Sequence, residues 1–500
     1  VEKTERLCIW ILSAVAAVRV FAFVAAFPFF NNVDERAHVD LVFKYANGEI
    51  PHGLPTFSPA AARYLWLYAS PEYFMEAKAS AENDFGKPFW TLPREQIDEI
   101  GPTIETQLQS RINHEASDPP LYYTITGLWV RLGRWFGLRG GYLLYWIRFL
   151  NIPVAAALVW IAYFATRQIF PDAPFLRMAV PTLTAFFPQD NLYSVQSDAW
   201  SPLWFGLAFL GILKLLDRER PTVGSSALAG LALSAACLTK TVNLPLLAVA
   251  ACFVLWQSLV LFRERKIAPV LPAFVTFGLC SILPVIAWIA WNYHAFGDAL
   301  GTAAKVEYLG WRAKPITAWW PHPIFSLGGV REFWSELIAS FWRGELIWHG
   351  QRLASSVADG FYCMASTFAL AIAAGILLSR TTMSIFQRRA LWFSLISFAA
   401  LAIFLAALST KFDFGKSIYP SREHPYLISG RLLSAATIPF LLIYACAIDR
   451  VGKWAKNKWL SIGLCSGTVL IVMISELIVN APVFGSRYNF FHLSVANWPL

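Results

Sequence analysis

Charged residues are scarce in this chain: Asp, Glu, Lys and Arg make up 15% of its 500 residues, where a soluble domain has ~25%. With 57% hydrophobic residues and a mean hydropathy of +0.49, that shortfall excludes an ordinary soluble enzyme. It marks an all-α polytopic membrane protein. Acidic residues are also fewer than basic ones, 32 against 41, for a net charge of +9. The lysines and arginines fall in short clusters between apolar runs, which is an orientation signal and argues against a nucleic-acid partner. Cysteine is sparse. Of seven, Cys8, Cys237, Cys252, Cys280 and Cys465 lie inside apolar runs, and Cys363 and Cys446 lie near the ends of others. No Cys-x-x-Cys pair occurs, so neither a disulfide framework nor a cysteine metal site is indicated. There is no internal repeat and no low-complexity linker.

Apolar runs long enough to cross a bilayer fall near 7–30, 142–166, 175–193, 199–216, 225–240, 243–262, 267–291, 361–379, 390–409, 427–448 and 459–480. The first is too long for a cleaved signal peptide and has no small-residue cleavage site after it, so it reads as a retained helix. Two polar segments, 31–141 and 292–360, are too long to be ordinary connections. If Leu121–Leu132 lies along the interface instead of spanning, one side collects every basic cluster in a short loop. These are Lys3/Arg6, Arg167/Arg177, Lys214/Arg218/Arg220, Arg263/Arg265/Lys266, Arg380/Arg388/Arg389 and Arg450/Lys453/Lys456/Lys458. The positive-inside rule makes that side cytoplasmic. The expectation is one membrane domain over 1–500 with about eleven spans, the N-terminus inside and the C-terminus outside. Both long loops then face the extracytoplasmic side of a cytoplasmic (inner) membrane.

The loop after the first run opens with Asn31-Asn32-Val33-Asp34-Glu35-Arg36-Ala37-His38. On a helix Asp34 and His38 share a face, and Glu35 lies about 100° round from Asp34. An acid, a base and a candidate metal ligand thus sit within one turn at a membrane surface, where ionised groups are costly unless used or solvated. A solvated helix end explains the same residues equally well. The topology brings further polar residues to this face: Asp190 and Asp198, Lys240, Asn292 with His294 and Asp298, and Lys416, Arg422, Glu423, His424 and Arg431. Such convergence outlines a cavity with a chemical task. Asp190, beside a proline-broken helix end, reads as a cap. His114 and His424 read as satisfied surface histidines. Glu332–His349 carries an apolar stripe at helical spacing and reads either as an interfacial helix with a snorkelling arginine or as a re-entrant helix under the bundle. Trp66, Tyr68, Tyr73 and Trp90 can stack on sugar rings, and loop packing accounts for them as well.

A second anchor is Asn113-His114-Glu115-Ala116-Ser117-Asp118-Pro119-Pro120-Leu121-Tyr122-Tyr123, prolines suited to a helix start and tyrosines suited to headgroup level. An acidic pair after the first span, followed in the same loop by Pro-Pro-Leu-Tyr-Tyr, resembles the GT-C-fold glycosyltransferases. That superfamily includes protein O-mannosyltransferases, aminoarabinose transferases acting on lipid A, and oligosaccharyltransferases. Within it the chain looks like a bacterial branch of membrane proteins of unknown function. Ser197-Asp198-Ala199, Leu238-Thr239-Lys240, Trp291-Asn292 with Phe296-Gly297-Asp298, and Ser340-Phe341-Trp342-Arg343-Gly344 carry the likeness across about 10–435. Two departures stand out: Asp118 replaces an expected Gln, and Ser429-Gly430-Arg431-Leu432 replaces Gln-Gly-Arg-Tyr.

The resemblance implies an inverting transfer of a sugar from a polyprenyl-phosphate carrier, such as undecaprenyl phosphate. The acceptor would be a hydroxyl of a glycan, lipid or protein outside the cytoplasmic membrane. Asp34 matches the family's catalytic acidic residue, with Glu35 as second choice. A carboxylate there can take the acceptor's proton. Arg431, then Lys240 and Arg422, are the candidates for the donor phosphate, whose charge grows in the transition state. His38, Asp198, Asn292, Tyr122 and Tyr123 are expected to line the site. The family divides between members that need a metal and members that do not. Asp34, Glu35, His38 and Asp198 can offer ligands to a divalent ion. Competing readings are an O-antigen-type polymerase or ligase, a flippase or transporter for lipid-linked glycans, and a non-catalytic scaffold.

Overall fold

The computed structural model describes residues 2–75, 85–217, 221–379, 383–417 and 419–491. Arg218, Arg220 and Arg380 of the basic clusters lie outside them, as do the last nine residues. In chain order the helices are α1 (Glu2–Ala26), α2 (Glu35–Asn47), α3 (Pro59–Tyr68), α4 (Arg94–Gln109), α5 (Leu121–Trp135), α6 (Gly140–Arg148) and α7 (Asn151–Ile169). Then come α8 (Pro174–Ala185), α9 (Ser201–Leu216), α10 (Val223–Cys237), α11 (Leu244–Arg263), α12 (Leu271–Phe296) and α13 (Ala303–Tyr308). The last are α14 (Leu327–Arg343), α15 (Ser356–Leu378), α16 (Ile385–Lys411), α17 (Thr437–Trp454) and α18 (Lys458–Phe484). Two antiparallel two-residue ladders, Arg312–Ala313 with Phe412–Asp413 and Ile347–Trp348 with Gln351–Arg352, leave the class all-α.

Among the described residues, nine helical segments are long and apolar enough to cross a membrane. The other two expected spans are short helices: α8 has 12 residues and α10 has 15. Hydropathy is a sum along the chain and is blind to a break in the helix. The apolar run 175–193 is interrupted after Ala185, resuming as a 3-10 turn at Asp190–Tyr193. Arg19 on α1 holds that break. Its guanidinium donates to the carbonyls of Ala185 (3.2 Å) and Phe187 (2.8 Å) and to both oxygens of Glu476 on α18 (2.9 and 2.7 Å). Backbone groups freed inside a bundle need such partners.

The ends of the helices sort into two faces. Arg177 pairs with Glu5 (2.6 Å), Gln387 donates to the Ile169 carbonyl (3.2 Å), and Arg389 donates to Gln257 (2.6 Å) and the Leu216 carbonyl (3.4 Å). These contacts join the basic ends of α1, α7, α8, α9, α11 and α16. The opposite face carries the end of α1, the starts of α9 and α17, the end of α10, and the folded loop α2–α5. In that loop α5 lies against α2, and the Leu121 amide donates to the Leu238 carbonyl (3.0 Å). α5, with 15 residues, is not among the nine candidate spans.

α14 packs its apolar stripe onto the bundle. Phe333, Leu337, Ile338, Phe341 and Trp342 are buried against α15 and the 3-10 turn Gly430–Ala436. Arg343 does not snorkel; it forks onto Asp359 (2.8 and 3.1 Å). The helix is packed against the bundle, and it positions Arg431. Ser340 Oγ accepts from the Gly430 amide (2.9 Å) and donates to the Ile428 carbonyl (2.6 Å). A Cβ at Gly430 would sit 1.9 Å from the Phe341 nitrogen. Backbone cannot yield as a side chain can, so Gly430→Ala is expected to cost ~3 kcal/mol or more. It should lower the yield of folded protein in detergent, read by size exclusion.

Candidate functional site

The acidic couplet divides its labour. Glu35 begins α2 fully buried, and its carboxylate is spent. It accepts from the amides of Phe30 (2.8 Å), Asn31 (3.1 Å) and Val195 (2.9 Å), and bidentately from Arg148 (2.8 and 2.7 Å). Glu35 is therefore a structural tie between α1, α6 and the segment before α9. The expectation that it stands second as catalytic base, or ligates a metal, is corrected by those five bonds. Asp34 precedes it with φ 61° and makes no cap bond to its own helix. Its carboxylate turns towards other charged side chains, 2.8 Å from Arg431 Nη2 and 3.7 Å from His114 Nε2, with a side chain 30% exposed.

Around that pair the polar ends converge. Arg431 Nη1 lies 3.9 Å and Lys240 Nζ 3.8 Å from Asp198 Oδ2. Lys240 also pairs with Asp118 (2.8 Å) and faces Glu115 (3.7 Å), which Lys305 holds at 2.6 Å. Tyr123 bridges His38 Nδ1 (2.7 Å) and Asp118 (3.2 Å). Ser429 donates to Glu345 (2.8 Å), whose other oxygen is buried without a partner among the described residues. Both oxygens of Asp198, Oε2 of Glu115 and Nε2 of His38 likewise make no hydrogen bond among the described residues, although Asp198 Oδ2 and Glu115 Oε2 face the charges of Arg431 and Lys240. Buried polar atoms are rarely left unmatched; these converge on the charges around Arg431 and Lys240.

Electrostatics follow from this crowding. Burial works against the Asp34 anion, but His114 and the Arg431 charge outweigh it and hold the carboxyl well below the usual range. Burial also opposes the Glu115 anion, and Lys305 with Lys240 overrides it. Asp118 is pushed up to about 6 by burial and by the Glu115 charge. His38 is driven down to about 3 by burial and the Lys240 charge, against the pull of Glu115, Asp34 and Asp198. It is neutral in the fold and titrates near 6.5 unfolded. The unfolded chain thus takes up a proton that the fold refuses, and His38's share of stability is lost as pH falls from 6.5 towards 3. The slope is at most ~1.4 kcal/mol per pH unit. Asp118 acts with the opposite sign between its unfolded value and 6, so the reading is a difference. His38→Gln should lose less thermal stability than the parent between pH 7 and 5.

Other expected site residues lie elsewhere. Arg422 is exposed and forks onto Asp413 (2.8 and 2.9 Å), so its donors are used outside the pocket. Asn292 donates to the Ala299 carbonyl (3.2 Å), and Asp298 accepts from the amides of Leu300, Thr302 and Ala303. Together they shape the turn that delivers Lys305. Tyr122 is buried edge-on against Trp200 (5.3 Å). Asp190 accepts from the amides of Glu345 and Leu346 (2.8 and 3.2 Å) and so caps a turn far away in sequence instead of its own helix end. His424 is exposed beside Glu332 (3.2 Å). Trp66 donates to Glu105 (3.0 Å), Tyr73 donates to the Pro28 carbonyl (3.3 Å), and Tyr68 stacks on Trp90 (5.7 Å). His114, Glu115, Lys305 and Glu345 are additions that single-motif reading misses. Only the Asn113-His114-Glu115-Ala116-Ser117-Asp118 run, acidic and imidazole together before the two prolines, carried a signal.

Two overlapping groups, Asp34/His114/Glu115 and His38/Glu115/Asp118, each bring three ligand atoms within 4.8 Å. Neither matches the expected set of Asp34, Glu35, His38 and Asp198, because Glu35 faces Arg148. The ammonium groups of Lys240 and Lys305 already lie against Glu115 and Asp118. A divalent ion would have to displace like charge, so these residues do not fit one.

Fold and site define a polytopic α-helical membrane protein with a cluster of charged side chains where several helix ends meet on one face. The chain belongs to the family described as predicted membrane protein (DUF2142), whose profile matches residues 18–304. No curated protein matches it. Among solved structures it is similar to the Archaeoglobus fulgidus oligosaccharyltransferase complexed with Zn and sulfate. The identity is 12% and the TM-score 0.42, over 95% of this chain and 53% of that one. It is also similar to ArnT from Cupriavidus metallidurans bound to undecaprenyl phosphate, with 12% identity and a TM-score of 0.43, over 97% of this chain and 74% of that one. The chain thus spans about half the length of the archaeal enzyme.

Proposed function

We propose that this protein is an inverting glycosyltransferase that moves a sugar from a polyprenyl-phosphate carrier to an acceptor hydroxyl on the extracytoplasmic face. The observation that carries the reading is the 2.8 Å pair of Asp34 and Arg431 inside the charged cluster. A proton acceptor and a phosphate-holding fork stand side by side, drawn from positions 397 residues apart. The positive-inside rule assigns the opposite face, with its basic helix ends, to the cytoplasm.

In this reading the donor phosphate takes the Arg431 fork and Lys240 adds a point charge. Losing Arg431 makes Asp34 more basic, since an opposite charge is what held its proton affinity down. Asp34 then removes the acceptor's proton as the acceptor oxygen attacks the anomeric carbon from the far side. The bond from that carbon to the phosphate oxygen breaks, and the electron pair leaves on the carrier phosphate, whose growing charge Arg431 and Lys240 stabilise. Asp198 and Glu345, with oxygens that accept no hydrogen bond among the described residues, accept from sugar hydroxyls. No step needs a metal, so transfer is expected to persist in excess chelator.

The test is transfer by purified protein in proteoliposomes supplied with polyprenyl-phosphate-linked sugars. Arg431→Gln is expected to abolish turnover, and Arg431→Lys to retain a fraction, because charge survives without the fork. Movement of intact donor across the bilayer without transfer, undiminished in Arg431→Gln, would overturn the proposal in favour of a transporter.

A further inference from the structure

The basic end of the bundle holds a second feature that the reaction does not use. α8, the end of α17, the turn after it and α18 enclose an open groove of about 1000 Å³. Its walls are apolar, with Phe175, Met178, Ile462, Val469 and Met473 among them. Its mouth is lined by Lys453, Lys456 and Lys458. Lys453 is spent on Asp449 (2.6 Å). Lys456 and Lys458 are exposed and form no ion pair with a carboxylate among the described residues. Trp454 and Trp459, 59% and 68% exposed, flank them as interfacial tryptophans do.

The groove is built into the fold. Gly452 meets Ser461 so closely that a Cβ there would lie 1.9 Å from its Oγ, which pins the start of α18 to α17. From Ser461 to Met473 the groove follows α18 for ~18 Å at 1.5 Å per residue. That is close to one leaflet of a hydrocarbon core ~30 Å thick. Apolar walls of one leaflet's depth below two unneutralised ammonium groups complement an acyl chain under an anionic headgroup. The mouth lies at the opposite end of α17 from Arg431, so the groove is separate from the pocket.

We infer that this groove is a binding site for an anionic glycerophospholipid of the leaflet at the basic face, its phosphate held by Lys456 and Lys458 and an acyl chain along α18. The inference is independent of the glycosyltransferase reading, because its readout is lipid retention. Full-length protein is placed in nanodiscs containing anionic and zwitterionic phospholipids of identical chains, with polyprenyl phosphate as a third arm. Lipid carried through delipidating detergent is then counted by native mass spectrometry. The parent is expected to keep anionic phospholipid selectively. Lys456→Glu with Lys458→Glu should erase that selectivity, by about fivefold for each lysine. Ser466→Trp, on an exposed groove position, should lower retention of both phospholipids. Equal retention of the two headgroups by the parent would overturn the site, as would selectivity that survives charge reversal or preferential capture of polyprenyl phosphate.

Discussion

Asp34→Asn is expected to lower sugar transfer by ~10²–10⁴-fold, the range for loss of a positioned general base, while leaving the protein folded. The amide keeps the shape of the side chain and can still accept from Arg431, but it cannot take a proton from an acceptor hydroxyl. The side chain is 30% exposed, and Arg431 keeps Asp198 as a second counter-charge at 3.9 Å, so the fold is expected to survive the loss of this one charge. Initial transfer rates and melting curves in the same detergent read the two effects separately. A transporter or scaffold would tolerate this substitution, so near-parental function in Asp34→Asn sinks the catalytic reading.

The neighbouring carboxylate should behave in the opposite way. Glu35→Gln leaves Arg148, whose side chain is 1% exposed, as a buried cation without its anion. It also weakens the hold on three backbone amides. Removing one partner of a buried pair costs ~3–5 kcal/mol, a large part of a protein's net stability. Unfolding by SDS titration should show that loss. Whatever protein remains folded should keep most of its transfer activity per molecule. A stable, inactive Glu35→Gln would reverse the roles given to these two residues.

Much of this was legible along the chain. Apolar runs and basic clusters located the helices and sorted their ends, because both are sums over neighbouring residues. The short motifs at Asp34, Asp198, Lys240 and Arg431 named four members of one pocket, since parity of the spans puts their ends on a common face. Other assignments were out of reach for the same reason. Glu35 and Asp34 are adjacent in sequence, and which of them is buried depends on Arg148, 113 residues away from Glu35. His114 looked like a surface residue until α2 and α5 closed beside it, and Lys305 sits in a segment with no motif at all. Arg422 lies in the same polar stretch as Arg431, yet Asp413 takes it away from the pocket.

Hydropathy and the placement of charge determined that this chain folds as a helical membrane protein and which helix ends lie together. The tertiary structure decided where apolar runs break into shorter helices, which carboxylate is structural, and which cations lie against the carboxylates around Asp34. A buried charge is stable only beside its partner, and those partners come from segments one hundred to four hundred residues apart. Only the packed bundle sets their distances.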